Sequence, residues 1–300
     1  MIGGKVDRLS VVNPLSFSTN AFTRFSVDEA LEGIARAGFR MAEILADAPH
    51  ADPATLKVGD GVRVRRVLDR LGLGVSNVNC NCSFSYWRHA PPEPYFEPSL
   101  ISPEPQYRVD RRERIFRAID FAAEVGAPAV SITSGRCLGR VSPMVAGKIL
   151  AENLVPVLEY AEKAGVNVGM ECEPGLFVEY ARELKEVMRE VEGSGGGRRL
   201  GANLDTGHSV VLGESLREAF DVLRGRIWNT HVEDLPDRKH WHMVPGAAGG
   251  SFPWGELEES MRAAAYEGPM TVELYTHTDD PHEAALASYR FLSTRFGSGR

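Results

Sequence analysis

Along this chain, short runs of apolar residues alternate with longer segments whose apolar positions recur three and four residues apart. The short runs lie near 8–13, 40–45, 73–79, 128–133, 166–172, 199–204, 227–232 and 269–274, and most are rich in Val, Ile, Leu and Met. Runs of that length and content read as strands buried on both faces. The helices predicted between them lie near 26–37, 60–71, 107–125, 146–164, 178–192, 214–224, 254–266 and 281–296. Ser26 ahead of Val-Asp-Glu-Ala and Pro281 in a first turn are helix start signals. Gly38, Gly72, Gly126, Gly165 and Gly268 each stand just before the next strand, where a helix should end. Eight strand-then-helix units without a long linker predict an α/β fold, a closed (β/α)8 barrel formed by residues 1–300 as one domain. An open doubly wound sheet is the rival, but no Gly-x-Gly-x-x-Gly follows an early strand.

Two stretches interrupt the rhythm. Residues 81–106 are rich in proline and aromatics and exceed the usual βα loop of about 2–6 residues. Following the third strand, this segment would lie over the face where barrel sites form. Tyr86, Trp87, Tyr95 and Phe96 make it a lid-like insertion or an interface between copies; the alternative is a surface loop packed by its own aromatics. Residues 193–199, Gly-Ser-Gly-Gly-Gly-Arg-Arg, read as a flexible turn on the opposite face.

Four of the strand-like runs end in a residue with chemistry to offer. They are Glu171 in Val-Gly-Met-Glu-Cys-Glu-Pro-Gly, Asp205 in Asn-Leu-Asp-Thr-Gly-His, His231 in Trp-Asn-Thr-His-Val-Glu-Asp and Glu273 in Met-Thr-Val-Glu-Leu-Tyr. Strand side chains alternate between faces, so each of these shares a face with Gly169, Asn203, Asn229 or Thr271 respectively. Apolar residues such as Met170, Leu204, Val232 and Val272 point the other way. Three carboxylates and one imidazole on one barrel face make a ligand set for a single divalent cation, Mn²⁺ first, with Mg²⁺, Co²⁺ or Zn²⁺ as alternatives. Glu173 competes with Glu171 but lies further into the loop. His208 follows Asp205 by one helical turn, and His240 and His242 form a His-x-His after the seventh strand, suited to substrate oxygens. Each carboxylate alone has an ordinary alternative as a helix cap or a surface residue.

Composition narrows the classes. An apolar content of 43% is enough for a full core, and a net charge of −7 gives no electrostatic footprint for nucleic acid. The longest apolar runs fall short of the roughly 18 residues a membrane span needs, and the N-terminus lacks a secretory pattern. Cys80, Cys82, Cys137 and Cys172 suggest reduced thiols and a cytoplasmic location rather than a disulfide framework or a zinc site.

On these motifs the chain resembles the xylose isomerase-like TIM-barrel superfamily over about residues 8–296. That group holds ketose 3-epimerases, hydroxypyruvate isomerase, inosose dehydratase and the endonuclease IV branch. The resemblance places the family's metal ligands on Glu171, Asp205, His231 and Glu273, and its substrate-approaching histidine on His208. Weaker matches surround Glu43 and Gly126, and His242, Pro245 and Gly246 match a loop segment that here departs by reading Ala247-Ala-Gly-Gly. It implies a metal-dependent sugar isomerase or epimerase of carbohydrate metabolism. Glu171 and Glu273 would move a proton next to a metal-bound carbonyl through an enediolate. Substrate contacts are expected from His208, His242, Arg238, Glu43 and Trp87. A lyase or dehydratase acting on an oxidised sugar or cyclitol is the alternative, and an endonuclease IV-like phosphodiesterase a remote one, since no histidine closes strands two to four. The expected partner is a small carbohydrate, with no nucleic acid and no membrane, and a homo-oligomer is compatible with the aromatic insertion.

Overall fold

The computed structural model describes residues 13–87, 89, 96–139 and 141–297. Its strands are β1 (Leu15–Ser18), β2 (Met41–Leu45), β3 (Gly74–Asn79), β4 (Ala129–Thr133), β5 (Asn167–Glu171), β6 (Leu200–Asp205), β7 (Ile227–Val232) and β8 (Met270–Val272). They form a closed barrel in sequence order, and β8 returns to β1 in parallel with Leu15 opposite Met270. Around it lie α1 (Val27–Ala37), α2 (Asp60–Leu71), α3 (Pro105–Val125), α4 (Pro143–Ala164), α5 (Ala181–Gly193), α6 (Thr206–Leu212), α7 (Leu216–Val222), α8 (Trp254–Ala264) and α9 (Pro281–Phe296). This is the expected (β/α)8 TIM barrel. Among the described residues no helix is long and apolar enough to cross a membrane, and all four cysteines are free.

Local chemistry accounts for the element ends. At α1 the Ser26 hydroxyl accepts from the Glu29 N–H while the Glu29 carboxylate accepts from the Ser26 N–H, a reciprocal cap. The apolar faces of the helices pack on the outward strand residues, so Met170, Leu204, Val232 and Val272 are all fully buried in one core.

Three expectations need correction. The first strand among the described residues is Leu15–Ser18, and residues 8–12 of the run expected at 8–13 lie outside the described residues. Its signal is weak because Ser16 and Ser18 face the barrel interior, leaving Phe17 to pack outward on Phe22 and Phe39. The helix expected over 214–224 shortens to α7, preceded by an unforeseen α6 that starts directly from Asp205. Gly268 does not end α8; Ala265 takes that left-handed position at φ 52°.

The inside of the barrel is polar. Ser16 and Ser76 share a hydrogen bond of 2.8 Å, and the Thr271 hydroxyl donates to Asn229 Oδ1 at 2.8 Å. Asn229 in turn donates to Asn203 Oδ1 at 2.8 Å, and Asn77 donates to Ser131 at 2.9 Å. Gly169 leaves room for this layer, since a Cβ there would lie 2.9 Å from the Asn203 nitrogen. The barrel is therefore filled by hydrogen-bonded amides and hydroxyls, not by the branched aliphatic layers common in this architecture.

Candidate active site

At the C-terminal rim, directly above that polar layer, the ends of β5 to β8 bring Glu171, Asp205, His231 and Glu273 together. The sheet register sets Asp205 beside His231, and His231 beside Thr271, two residues before Glu273. The His231 Nδ1 lies 3.3 Å from Glu171 Oε2, 3.4 Å from Glu273 Oε2 and 3.8 Å from Asp205 Oδ2. One ligand atom from each of the four falls within 4.8 Å of the others, and all four residues are buried.

The other imidazole nitrogen, His231 Nε2, is 2.9 Å from Glu43 Oε2. Glu43 also accepts from Asn77 at 2.8 Å, Asn79 at 3.2 Å and Asn229 at 3.3 Å. With its N–H spent on Glu43, His231 turns the Nδ1 lone pair toward the three carboxylates, the arrangement that orients metal-bound histidines. Glu43 thus stands behind the imidazole with all its partners inside the barrel, not at the mouth as expected for a substrate contact. The sequence placed it in the right strand; only the fold shows that His231 comes between.

Electrostatics ask for a cation here. Burial pushes the Glu171 carboxyl well above the usual range, and Glu273 and Asp205 push the same way against His231. Burial would lower the His231 imidazole, but Glu273, Glu43 and Glu171 together hold it well above its ordinary value. Asp205 Oδ2 is buried without a hydrogen-bond partner. A cluster that draws a proton onto its only imidazole and leaves a carboxylate oxygen unpaired fits a divalent cation.

Amides anchor the two glutamates. Glu171 Oε2 accepts from Asn81 at 2.7 Å and from Asn203. Glu273 Oε1 accepts from Asn20 at 2.9 Å and Asn79 at 3.1 Å. In each glutamate the other carboxylate oxygen has no amide on it. Asn20, Asn79 and Asn81 were missed as site residues from sequence, although Asn77, Asn79 and Asn81 stand at strict period two in Val-Ser-Asn-Val-Asn-Cys-Asn. Arg111 was missed as well. Its guanidinium, only 1% exposed with the rest of the residue, donates to Cys80 O at 2.6 Å, Asn81 O at 3.0 Å, Cys82 O at 3.3 Å and Ser83 Oγ at 2.7 Å, fixing the loop that carries Asn81.

Three imidazoles line the mouth. His208 Nε2 and His242 Nε2 lie 2.9 and 3.0 Å from His240 Nε2. His208 Nδ1 donates to Cys172 O and His242 Nδ1 to Glu273 O, so the Nε2 atoms of both point inward as acceptors. The sequence-predicted His208 and His242 are therefore at the site, and His240 joins them. Glu173 is near as well, its carboxylate 3.7 Å from His208 Nδ1. Glu233 lies fully buried beneath, and burial pushes its carboxyl well up.

Arg238 and Trp87 are placed differently. Arg238 donates to Val210 O at the end of α6 and is exposed, so its guanidinium serves a helix terminus. The Trp87 indole donates to Glu97 O and meets Tyr86 of the loop and Tyr107 of α3 edge-on, so it packs between the loop and that helix. Tyr86 is tied to Asp110 at 2.6 Å, and Tyr95 lies outside the described residues.

A family model described as a xylose isomerase-like TIM barrel matches residues 31–295. The fructoselysine 3-epimerase of Shigella flexneri is 25% identical over 277 residues, covering 90% of this chain and 94% of that protein. Among solved structures, a D-tagatose 3-epimerase-like protein aligns with a TM-score of 0.74 at 20% identity, covering 94% of this chain and 96% of its own. The IolI protein with a bound zinc atom aligns with a TM-score of 0.73 at 15% identity, covering 95% and 98%. At such identities the structural likeness speaks to the fold.

Proposed function

The chain belongs to the xylose isomerase-like TIM barrel family, and on that premise we propose that it epimerises or isomerises a sugar or sugar derivative with the help of one divalent cation. The observation that carries the reading is the pair Glu171 and Glu273, set on either side of His231 at 3.3 and 3.4 Å and each anchored by amides at one oxygen. The epimerase relative of similar length supports it.

Held by Glu171, Asp205, His231 and Glu273, a divalent cation such as Mn²⁺ would supply Lewis acidity toward a carbonyl oxygen of the sugar. Glu43 keeps the His231 ring in the orientation that this set requires. One glutamate takes the proton from the carbon next to the carbonyl through its oxygen free of amides. The other returns a proton to the opposite face, which gives the epimer; return to the adjacent carbon gives the isomer. His208 and His242 would accept from sugar hydroxyls through Nε2 once His240, which lies 2.9 and 3.0 Å from those atoms, gives way to the substrate. Burial of the glutamates excludes water that would compete for the proton.

The test is incubation of the Mn²⁺-loaded protein in D2O with fructoselysine and a panel of free ketoses, read by NMR. Deuterium should enter a carbon next to the carbonyl. Glu273→Gln should slow this by about 10²–10⁴-fold, and His231→Ala should lose the bound metal by elemental analysis. Wild-type protein that exchanges no deuterium into any of these sugars would refute the reading.

A further inference from the structure

The amides that hold the two glutamates have a second half. Asn20 gives Nδ2 to Glu273 Oε1, and Asn81 gives Nδ2 to Glu171 Oε2. An ionised carboxylate oxygen only accepts, and the cation that the four rim residues would hold favours the ionised form, so the NH2 end of each amide is the end that faces it. The carbonyl ends, Asn20 Oδ1 and Asn81 Oδ1, are buried and have no hydrogen-bond partner. Each residue is 7% exposed. Buried amide oxygens are ordinarily paired; Asn77 Oδ1, whose Nδ2 holds Glu43 inside the barrel, is unpaired as well, but Asn20 and Asn81, just after β1 and β3, are the two that hold the glutamates proposed as acid and base.

Resting on the function proposed above, we propose that Asn20 and Asn81 are substrate-contacting residues: each accepts a hydrogen bond from a sugar hydroxyl through Oδ1 while its Nδ2 holds one glutamate. The paired amides thereby require a polyol on both sides of the reacting carbons. A hydroxyl donor completes each amide, and a methylene in its place leaves a buried oxygen unpaired. A site of that kind rejects deoxygenated analogues strongly.

The test crosses protein variants with substrate analogues. Asn20→Ala and Asn81→Ala, loaded with Mn²⁺, are assayed on the ketose that wild type turns over and on its 1-, 4-, 5- and 6-deoxy analogues. For one analogue per asparagine, wild type should lose about 10-fold or more in kcat/KM, and the variant should lose less than about 3-fold. Loss of a merely structural contact would lower kcat/KM for every analogue in proportion. Proportional loss, or variants equal to wild type, overturns the assignment and leaves the proposed function standing. Wild type that enolises no ketose removes both. If an alanine variant does not fold, the Asn→Ser variant is read in the same grid.

Discussion

Replacing Arg111 by methionine should test how firmly the loop beneath the site is held. The guanidinium is buried and makes four hydrogen bonds, three to consecutive carbonyls of residues 80–82 and one to the Ser83 hydroxyl. Methionine keeps the apolar stem and deletes every donor. The Asn81 carbonyl keeps a second donor, the Thr133 hydroxyl at 2.9 Å. The carbonyls of Cys80 and Cys82 lose the donor that the guanidinium supplied. The Ser83 hydroxyl loses its donor as well; an unpaired buried acceptor costs about 1–3 kcal/mol, so the buried Cys80 carbonyl and Ser83 hydroxyl give about 2–6 kcal/mol, the part-buried Cys82 carbonyl adding little. The variant no longer has to desolvate a cation, which offsets part of this, leaving about 2–4 kcal/mol. The assay is urea unfolding followed by far-UV circular dichroism, read as a lowered midpoint at unchanged slope. Arg111→Lys, which keeps the charge but not the fork, should fall between wild type and methionine. A methionine variant within about 0.5 kcal/mol of wild type, the range of an ordinary surface change, would show that the four bonds contribute nothing net.

His50 gives a pH-dependent test. Burial holds its imidazole below the ordinary value, so the unfolded chain takes up the proton first as pH falls. The stability contributed by neutral His50 is present above about pH 6.5 and is lost as pH falls through the lower folded value. Between about pH 7.5 and pH 5.5, wild type should lose more stability than His50→Gln; equal losses would refute this. Gly207→Ala should be costly, because a Cβ there would lie 1.6 Å from Glu233 Oε1. About 1–3 kcal/mol is expected for such overpacking. Adding Gly207→Ala to Glu233→Ala should cost much less, and an undiminished loss would show that Glu233 is not the obstacle.

The barrel and its four rim residues could be read from sequence because both obey short periods. Glu171, Asp205, His231 and Glu273 close their strands on the face shared with small or polar neighbours, and the alternation carries that face around the barrel. Strand β1 escaped because two inward serines broke its apolar run. Asn20 was invisible for a different reason: it sits in a 3₁₀ turn after β1 and reaches Glu273, 253 residues away in sequence. Arg111 looked like one more cation on a helix of many charges, and only the packing of α3 on the loop after β3 reveals it as buried. Glu43 was expected among the substrate contacts on the family resemblance; depth along the barrel axis is not written in a period-two pattern.

The amide and hydroxyl layer inside the barrel divides the protein into regions that tolerate change differently. Each member of that layer hydrogen-bonds to another member or to Glu43, so replacing one leaves others unpaired inside a closed space. Exposed side chains at the mouth, such as Trp241 and Tyr275, carry no such obligation. Divergence toward new sugars, whether by natural drift or by directed evolution, should therefore accumulate at such exposed positions of the mouth. The floor should stay fixed, so a library that randomises Asn77, Asn203 or Asn229 will return mostly wild-type side chains, while one that randomises Trp241 or Tyr275 will not.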